Sequence, residues 1–408
     1  MADFQIKAIT SWDEVGKIRP AWESMQLHPG VDFEFFHLVL KGRSSIISPC
    51  VFVVSDNEQI VSLLVGRIEH SIISLRLGYA HIGKIKARKL VLMDGGFMGS
   101  TTDAVWAQLL SFTTAYLRQE KLDLAVLENL PLQSQQYATA HRVFSRLQLS
   151  SGHGSAEHWL LRLPKTFDEF MAARSKKRRY WLNRLPRVLD KEFPGEWSMV
   201  RYCSVTEAKD FAAAAETVAC KTYHRGLGVG FQANQETICR LTMEAGRNQL
   251  CSYVLFIKKE PKAFWHCFKY GNRLYLASTG YDPGYGAYEV GTVLLLKLFQ
   301  DYCGSEIEVV DFGLGDAEYK QRYGSEHFTE TTLLLFPRTF KGMALNVVQS
   351  TVDTGNRLAR KTLDSLRLTQ RLKRIWRREK SAAATPAPEP NEAGAAKQRQ
   401  AEKSVIND

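Results

Sequence analysis

Three observations in the sequence predict an α/β chain of the α+β kind, built from two similar units on mixed, largely antiparallel sheets. The first is residues 274–324, which read as a strand (274–280), a glycine-rich loop (281–286), a helix (288–302) and a second strand (306–312) ending in a polar loop. The second is the same order earlier in the chain: a mixed basic and apolar strand at 84–92, a glycine-rich turn at 93–99, a helix at 103–120 and a strand at 122–127. The third is a run of strands at 250–258, 262–269 and 274–280, joined by tight turns, which forms an antiparallel meander leading into the first stretch.

Taken in order, a short strand at 4–9 leads to a capping pattern at Ser11-Trp12-Asp13-Glu14 and a helix to residue 25. A second apolar helix follows at 32–40. Strands are expected at 50–55, 59–69 and 71–77, with Asp56-Asn57 as the turn between the first two. Residues 141–149 read as a linker, 150–155 (SSGHGS) as a flexible connector, and 157–163 as the strand that opens the second unit. A helix from Phe167 runs into Arg174, Lys176, Lys177, Arg178 and Arg179, and Pro186 is expected to kink or end it. Helices at 205–220 and 236–246 flank a glycine-rich loop at 221–230. The boundaries that follow are 1–160 for a degenerate first unit, 161–338 for the second, 339–380 for a basic helical extension and 381–408 for a disordered tail.

The chemistry points to the loop at 281–292. Free backbone N–H groups and the positive end of the helix favour an anion there, and Gly286 and Gly291 allow close approach. A dinucleotide fingerprint and a Gly-Lys-Ser/Thr ending are both missing, so neither a dinucleotide fold nor a P-loop is indicated. An ordinary β-turn-α unit without a ligand fits the glycine pattern equally well. Seven scattered cysteines without a Cys-x-x-Cys pair argue for a reducing compartment and against a zinc site, and no metal is expected. The N-terminal residues lack the pattern of a signal peptide, and no apolar run reaches membrane-spanning length, so a cytoplasmic location is expected. The 408 residues carry a formal net charge of +11. Residues 338–380 hold 12 Lys/Arg against 3 Asp/Glu, which places most of the excess outside the two units.

The combination of Tyr281-Asp282-Pro283-Gly284-Tyr285, a helix opening Glu289-Val290-Gly291-Thr292, and the string Asp311-Phe312, Gly315-Asp316, Tyr319-Lys320 resembles the GNAT-type acyltransferases of the CelD/BcsL family, associated with cellulose and other exopolysaccharide synthesis. The resemblance extends back to about Phe167 and more weakly to the N-terminus. It implies a shared fold with Fem-type aminoacyl transferases and acetyl-CoA or another acyl-CoA held at Gly286, Ala287, Val290, Gly291 and Thr292, and with the repeated element order it makes the two units tandem GNAT-like domains. Direct attack of an acceptor on the thioester is expected, since no Ser or Cys lies in a nucleophile motif. Asp311 is the favoured base, with Asp282 and His266 behind it, and Tyr319 is the proton donor to the leaving thiolate. Lys320, Tyr281, Tyr285, Tyr223, His224 and Arg178 are assigned to the acceptor, a small or lipid-linked molecule. Each of these residues also has a plain structural reading as a cap, a turn or part of the core.

Two further readings stay open. One is a noncatalytic accessory protein of a polysaccharide-synthesis complex. The other is an aminoacyl-tRNA-dependent transferase, in which the basic stretch at 174–187 grips RNA. Residues 340–378 repeat apolar positions at helical spacing among Arg and Lys, which suits either the surface of an anionic membrane or packing against the domain.

Overall fold

Strands continue through places where the sequence suggests turns, and this shapes the molecule. The computed structural model describes residues 4–77, 80–226 and 229–365. The first half runs β1 (Gln5–Ile9), α1 (Trp12–Lys17), α2 (Arg19–Met25), α3 (Phe33–Gly42), β2 (Ile46–Asp56), β3 (Gln59–Leu77), β4 (Ala80–Gly99), α4 (Asp103–Gln119), β5 (Leu124–Pro131), α5 (Gln135–Val143) and β6 (Leu149–Arg162). The glycine turn expected at 93–99 lies inside β4. The expected connector at 150–155 lies inside β6, because β12 pairs alongside it, whereas the expected linker at 141–149 is the end of α5, a short loop and the first residue of β6.

The second half runs α6 (Phe167–Ala172), α7 (Lys176–Glu192), β7 (Trp197–Tyr202), α8 (Ala208–Ala219), α9 (Tyr223–Gly226), α10 (Gln235–Gly246), β8 (Ser252–Ile257), β9 (Glu260–Tyr270), β10 (Arg273–Tyr281), α11 (Val290–Tyr302), β11 (Val309–Leu314), α12 (Glu318–Tyr323), β12 (Glu326–Leu335) and α13 (Phe340–Ser365). Pro186 sits within α7 without ending it. The expectation for 381–408, and that for 366–380, lies outside the described residues.

Among the described residues twelve strands join in one sheet, ordered β1-β2-β3-β4-β5-β12-β6-β11-β10-β9-β8-β7. The centre of that order is an exchange. β12, from the end of the chain, lies between β5 and β6, and β6, from the first half, lies between β12 and β11. Each half is therefore completed by a strand of the other.

Two parallel pairs interrupt the otherwise antiparallel ladder: β4 with β5, and β10 with β11. One face carries α4 and α5 over the first half and α7 and α11 over the second. The other face carries α1 to α3 and α8 and α10, with α10 packed on α3. Apolar burial holds these layers together. α11 is buried almost all round, with Val290, Leu294, Leu298 and Phe299 fully enclosed, as befits a helix inserted between the sheet and α7. Near the start of α13, Leu345 packs on Leu334 and Phe336, while Phe340, Met343 and Val347 stay exposed.

The candidate donor slot and acceptor trough

β10 and β11 pair only over Arg273–Tyr275 and Val309–Asp311. Beyond that point β10 follows β9 to Tyr281 and β11 follows β6 to Leu314, and the two strands part. Each has a bulge where they diverge, between Leu276 and Ser278 and between Asp311 and Gly313, which adds local twist. Gly313 has φ +65°, a left-handed value that glycine adopts without strain. The result is an open slot in the sheet. Backbone groups of β10 that face it have no strand partner, and on the same stretch of β10 the Ser278 hydroxyl is buried without a hydrogen bond among the described residues.

At the head of the slot the expected loop is a 3-10 turn, Pro283–Tyr288, followed by α11. Gly286 and Ala287 lie in this turn, and Val290, Gly291 and Thr292 form the first turn of α11. The Tyr281 ring packs beside Gly286 and Gly291 and is half exposed. Glu289 takes a left-handed conformation, and its carboxylate accepts the Thr292 hydroxyl at 3.0 Å, so an acid already stands at the positive end of the helix. Tyr285 packs against Phe193 and lies under the Lys262 ammonium.

Side chains alternate along a strand, so Asp311, between the core residues Val310 and Phe312, points to the opposite face. Its carboxylate receives the N–H of Gly313 at 2.8 Å and contacts His158 Nε2 at 2.7 Å. The other His158 nitrogen meets Glu330 at 3.2 Å. Burial alone would lower the imidazole pKa, but the hydrogen bonds to Asp311 and Glu330 outweigh it and raise it to about 9. The ring is an imidazolium fixed between two carboxylates.

This cluster belongs to a larger polar surface. In a flat sheet β4 and β10 would stand roughly 24 Å apart, five strand spacings. Yet His28, which packs against Gly95 of β4, lies edge-on to Tyr275 of β10 with ring centroids 6.2 Å apart. The sheet must therefore curl into a trough. Asp94 of β4, Glu128 of β5, Glu330 of β12, His158 of β6, Asp311 of β11 and Tyr275 of β10 come from six neighbouring strands. Asn129 donates to Asp94 at 3.0 Å. Burial, with Asp94 and Glu69 adding to it against the opposing charge of Arg67, pushes the Glu128 carboxyl pKa up, and burial beside Asp311 raises Tyr275 to about 12.

Other expected site residues fall outside this cluster. His266 is buried among Phe211, Phe231 and Phe268 and bonds Glu244 at 2.9 Å, closed to any substrate. Asp282 accepts the Gly284 N–H and pairs with Lys221 at 2.9 Å. Burial works against this, but these contacts hold its pKa below the usual range, so it braces the loop as an anion. Lys320 is also buried, and its ammonium donates to the carbonyls of Gly313 and Leu314 at 3.2 and 2.6 Å. Burial lowers its pKa to about 8, against the pull of Asp311. It fastens the end of β11 rather than facing an acceptor.

Tyr319 packs edge-on to Trp265 and Phe312, and burial raises its pKa well above the ordinary phenol value. Tyr223 lies on α9, within electrostatic reach of Tyr319. The side chain of His224 lies outside the described residues. Arg178 is on the other face of the sheet from Asp311, stacked on Trp181.

His158 and Glu330 are the functional candidates that sequence reasoning missed. They lie on the two exchanged strands, and nothing local in the sequence shows that these strands flank β11.

Residues 176–321, from α7 into α12, match the family described as acetyltransferase (GNAT) domain. Over those residues, which include the split between β10 and β11 and the helix α11, the chain is similar to GNAT-type acetyltransferase domains. A search of curated proteins finds no match.

Among solved structures, FemX superposes over 85% of this chain and 100% of its own, with TM-score 0.52 and 8% identity, a likeness of fold. A tandem GNAT protein from the clavulanic acid biosynthesis pathway covers 81% and 98% of the two chains, with TM-score 0.46 and 11% identity. A conserved protein of unknown function from Bacteroides thetaiotaomicron VPI-5482 covers 82% and 100%, with TM-score 0.46 and 10% identity. Among the described residues no helix is long and apolar enough to cross a membrane.

Proposed function

We propose that the protein transfers an acyl group from acyl-CoA to an amine or hydroxyl of a sugar-like acceptor, in the manner of the CelD/BcsL type. The observation that carries this reading is the slot between β10 and β11, which opens beside the trough that holds Asp311.

The pantetheine arm enters the slot and the thioester carbonyl meets unpaired backbone donors of β10, which stabilise the oxyanion. The acceptor lies in the trough, where Asp94, Glu128, Asp311 and Glu330 favour a group with hydrogens to donate, an amino sugar above all. Asp311 takes the proton from the attacking nitrogen or oxygen. The C–N or C–O bond forms as C–S breaks, and Tyr319, which burial keeps protonated, supplies the proton to the thiolate. His158 acts as a positioning residue that holds the Asp311 carboxylate in place.

Calorimetric titration of acetyl-CoA and longer acyl-CoAs into the full chain tests this. Gly291→Glu serves as the control, since a Cβ at Gly291 meets only ordinary contacts with Tyr281, the nearest at 3.8 Å. Saturable binding that the glutamate abolishes is expected. One observation favours a second reading: Glu289 places a carboxylate where the CoA pyrophosphate would lie. A donor without that pyrophosphate, as in an aminoacyl-tRNA-dependent transferase, avoids the conflict, and failure of every acyl-CoA to bind would favour it.

A further inference from the structure

We propose that a second anion site, separate from the donor slot, lies at the start of α7 and takes the phosphate group of a small, nucleotide-sized molecule. A cavity of about 660 Å³ opens there between α6, α7 and α12, with Arg162, Arg174, Arg178 and Arg322 in its wall. That volume is in the range of ligand sites.

The four arginines are not equivalent. Arg162 is paired with Glu326 and Arg322 with Glu318. Arg174 and Arg178 have no carboxylate partner among the described residues. Instead, both are held flat by aromatic rings. The Arg174 guanidinium lies 3.7 Å from the Phe170 ring centroid and donates to the Phe170 carbonyl at 3.0 Å. The Arg178 guanidinium lies 3.9 Å from the Trp181 ring and donates to the Tyr323 hydroxyl at 3.1 Å. The Arg178 Nε is buried without a hydrogen-bond partner among the described residues. Stacked guanidiniums with donors to spare are pre-organised for bidentate phosphate binding.

The charges are also on the unfavourable end of the helix. α7 begins after Ser175, with Lys176, Lys177 and Arg178 in its first turn and no acid there. Cations at a helix N-terminus repel the positive end of the dipole, and an anion relieves both repulsions. Burial and the neighbouring Arg178 charge lower the Arg174 pKa, which is strain of the same kind. The Glu169 that lines the cavity accepts the backbone N–H of Lys165 and offsets only part of this charge.

The cavity lies on the face of Val310 and Phe312, away from the trough; its Arg174 stands near Cys303, past the C-terminal end of α11, while its Tyr323 lies within electrostatic reach of Glu289. It therefore stands whether or not acyl-CoA is the donor.

The test is titration of ADP and of inorganic pyrophosphate into the full chain. Saturable binding of at least one is expected, weakening with added salt, reduced at least tenfold in both Arg174→Ala and Arg178→Ala, and partly retained in Arg178→Lys. Thermal melts of the variants separate lost binding from lost folding. Acetyl-CoA binding unchanged in Arg178→Ala, and ADP binding unchanged in Gly291→Glu, show that the two sites are independent, so each reading can fail without the other. No binding of either probe to the wild type, or equal binding in both alanine variants, overturns the proposal. So does single-stranded RNA that binds over tenfold tighter than ADP and is lost in Lys176→Gln/Lys177→Gln, because the basic helix is then a polymer groove.

Discussion

His158 bridges Asp311 and Glu330, and that geometry ties stability to pH. Its pKa rises from about 6.5 in the unfolded chain to about 9 when folded. A raised pKa means that the contribution is complete below about pH 6.5 and disappears as the pH climbs through 9, with about 3 kcal/mol at stake. Urea melts of wild type and His158→Gln are expected to differ most near pH 6 and to converge by pH 9.5. A constant difference across that range would count against an imidazolium. Glu289 sets a second residue-level expectation. Glu289→Gly removes both a left-handed nonglycine residue and the acid at the head of α11, so acetyl-CoA is expected to bind about fivefold tighter by calorimetry, a gain of about 1 kcal/mol. Weaker binding would mean that the carboxylate takes part in holding the donor.

At the scale of elements, two helices make opposite predictions. Leu294 is fully buried in α11, and Leu294→Ala is expected to cost about 2–5 kcal/mol in chemical denaturation. Pro186 lies inside α7, where it removes a backbone donor, so Pro186→Ala is expected to stabilise the protein by about 1–3 kcal/mol, seen as a raised denaturation midpoint. α7 also shows what sequence could and could not reveal. The apolar positions Leu182, Leu185 and Leu189 mark its buried face plainly, but they do not show that packing against the core carries the helix past its proline. The helices at 103–120 and 236–246 were legible because caps and periodicity are local signals. The strand character of 93–99 and 150–155 was not, since glycine and serine there extend only because Val61 to Leu64 and Leu333 to Thr331 lie alongside. For the same reason the loop at 281–292 and Asp311 could be read from residues near them in sequence, whereas His158 and Glu330 could not.

At the scale of the molecule, the exchange of β6 and β12 links the halves. Expressed alone, residues 1–160 lack β12, and residues 161–338 lack most of β6, leaving a long unpaired edge in each. Neither fragment is expected to unfold cooperatively, whereas the full chain is expected to show a single denaturation transition. Two independent transitions in the full chain would contradict this.

The same exchange links two openings. A second slot, at the end of the β4 and β5 pairing, has a cavity of about 280 Å³ lined by Asp94, Glu128 and Trp106. The strands that border the two openings, β5 and β11, are joined through β12 and β6 by backbone pairing, with one register shift in each pair. A molecule that wedges one opening apart pushes on a ladder whose far side is the wall of the other, so the two openings should breathe together.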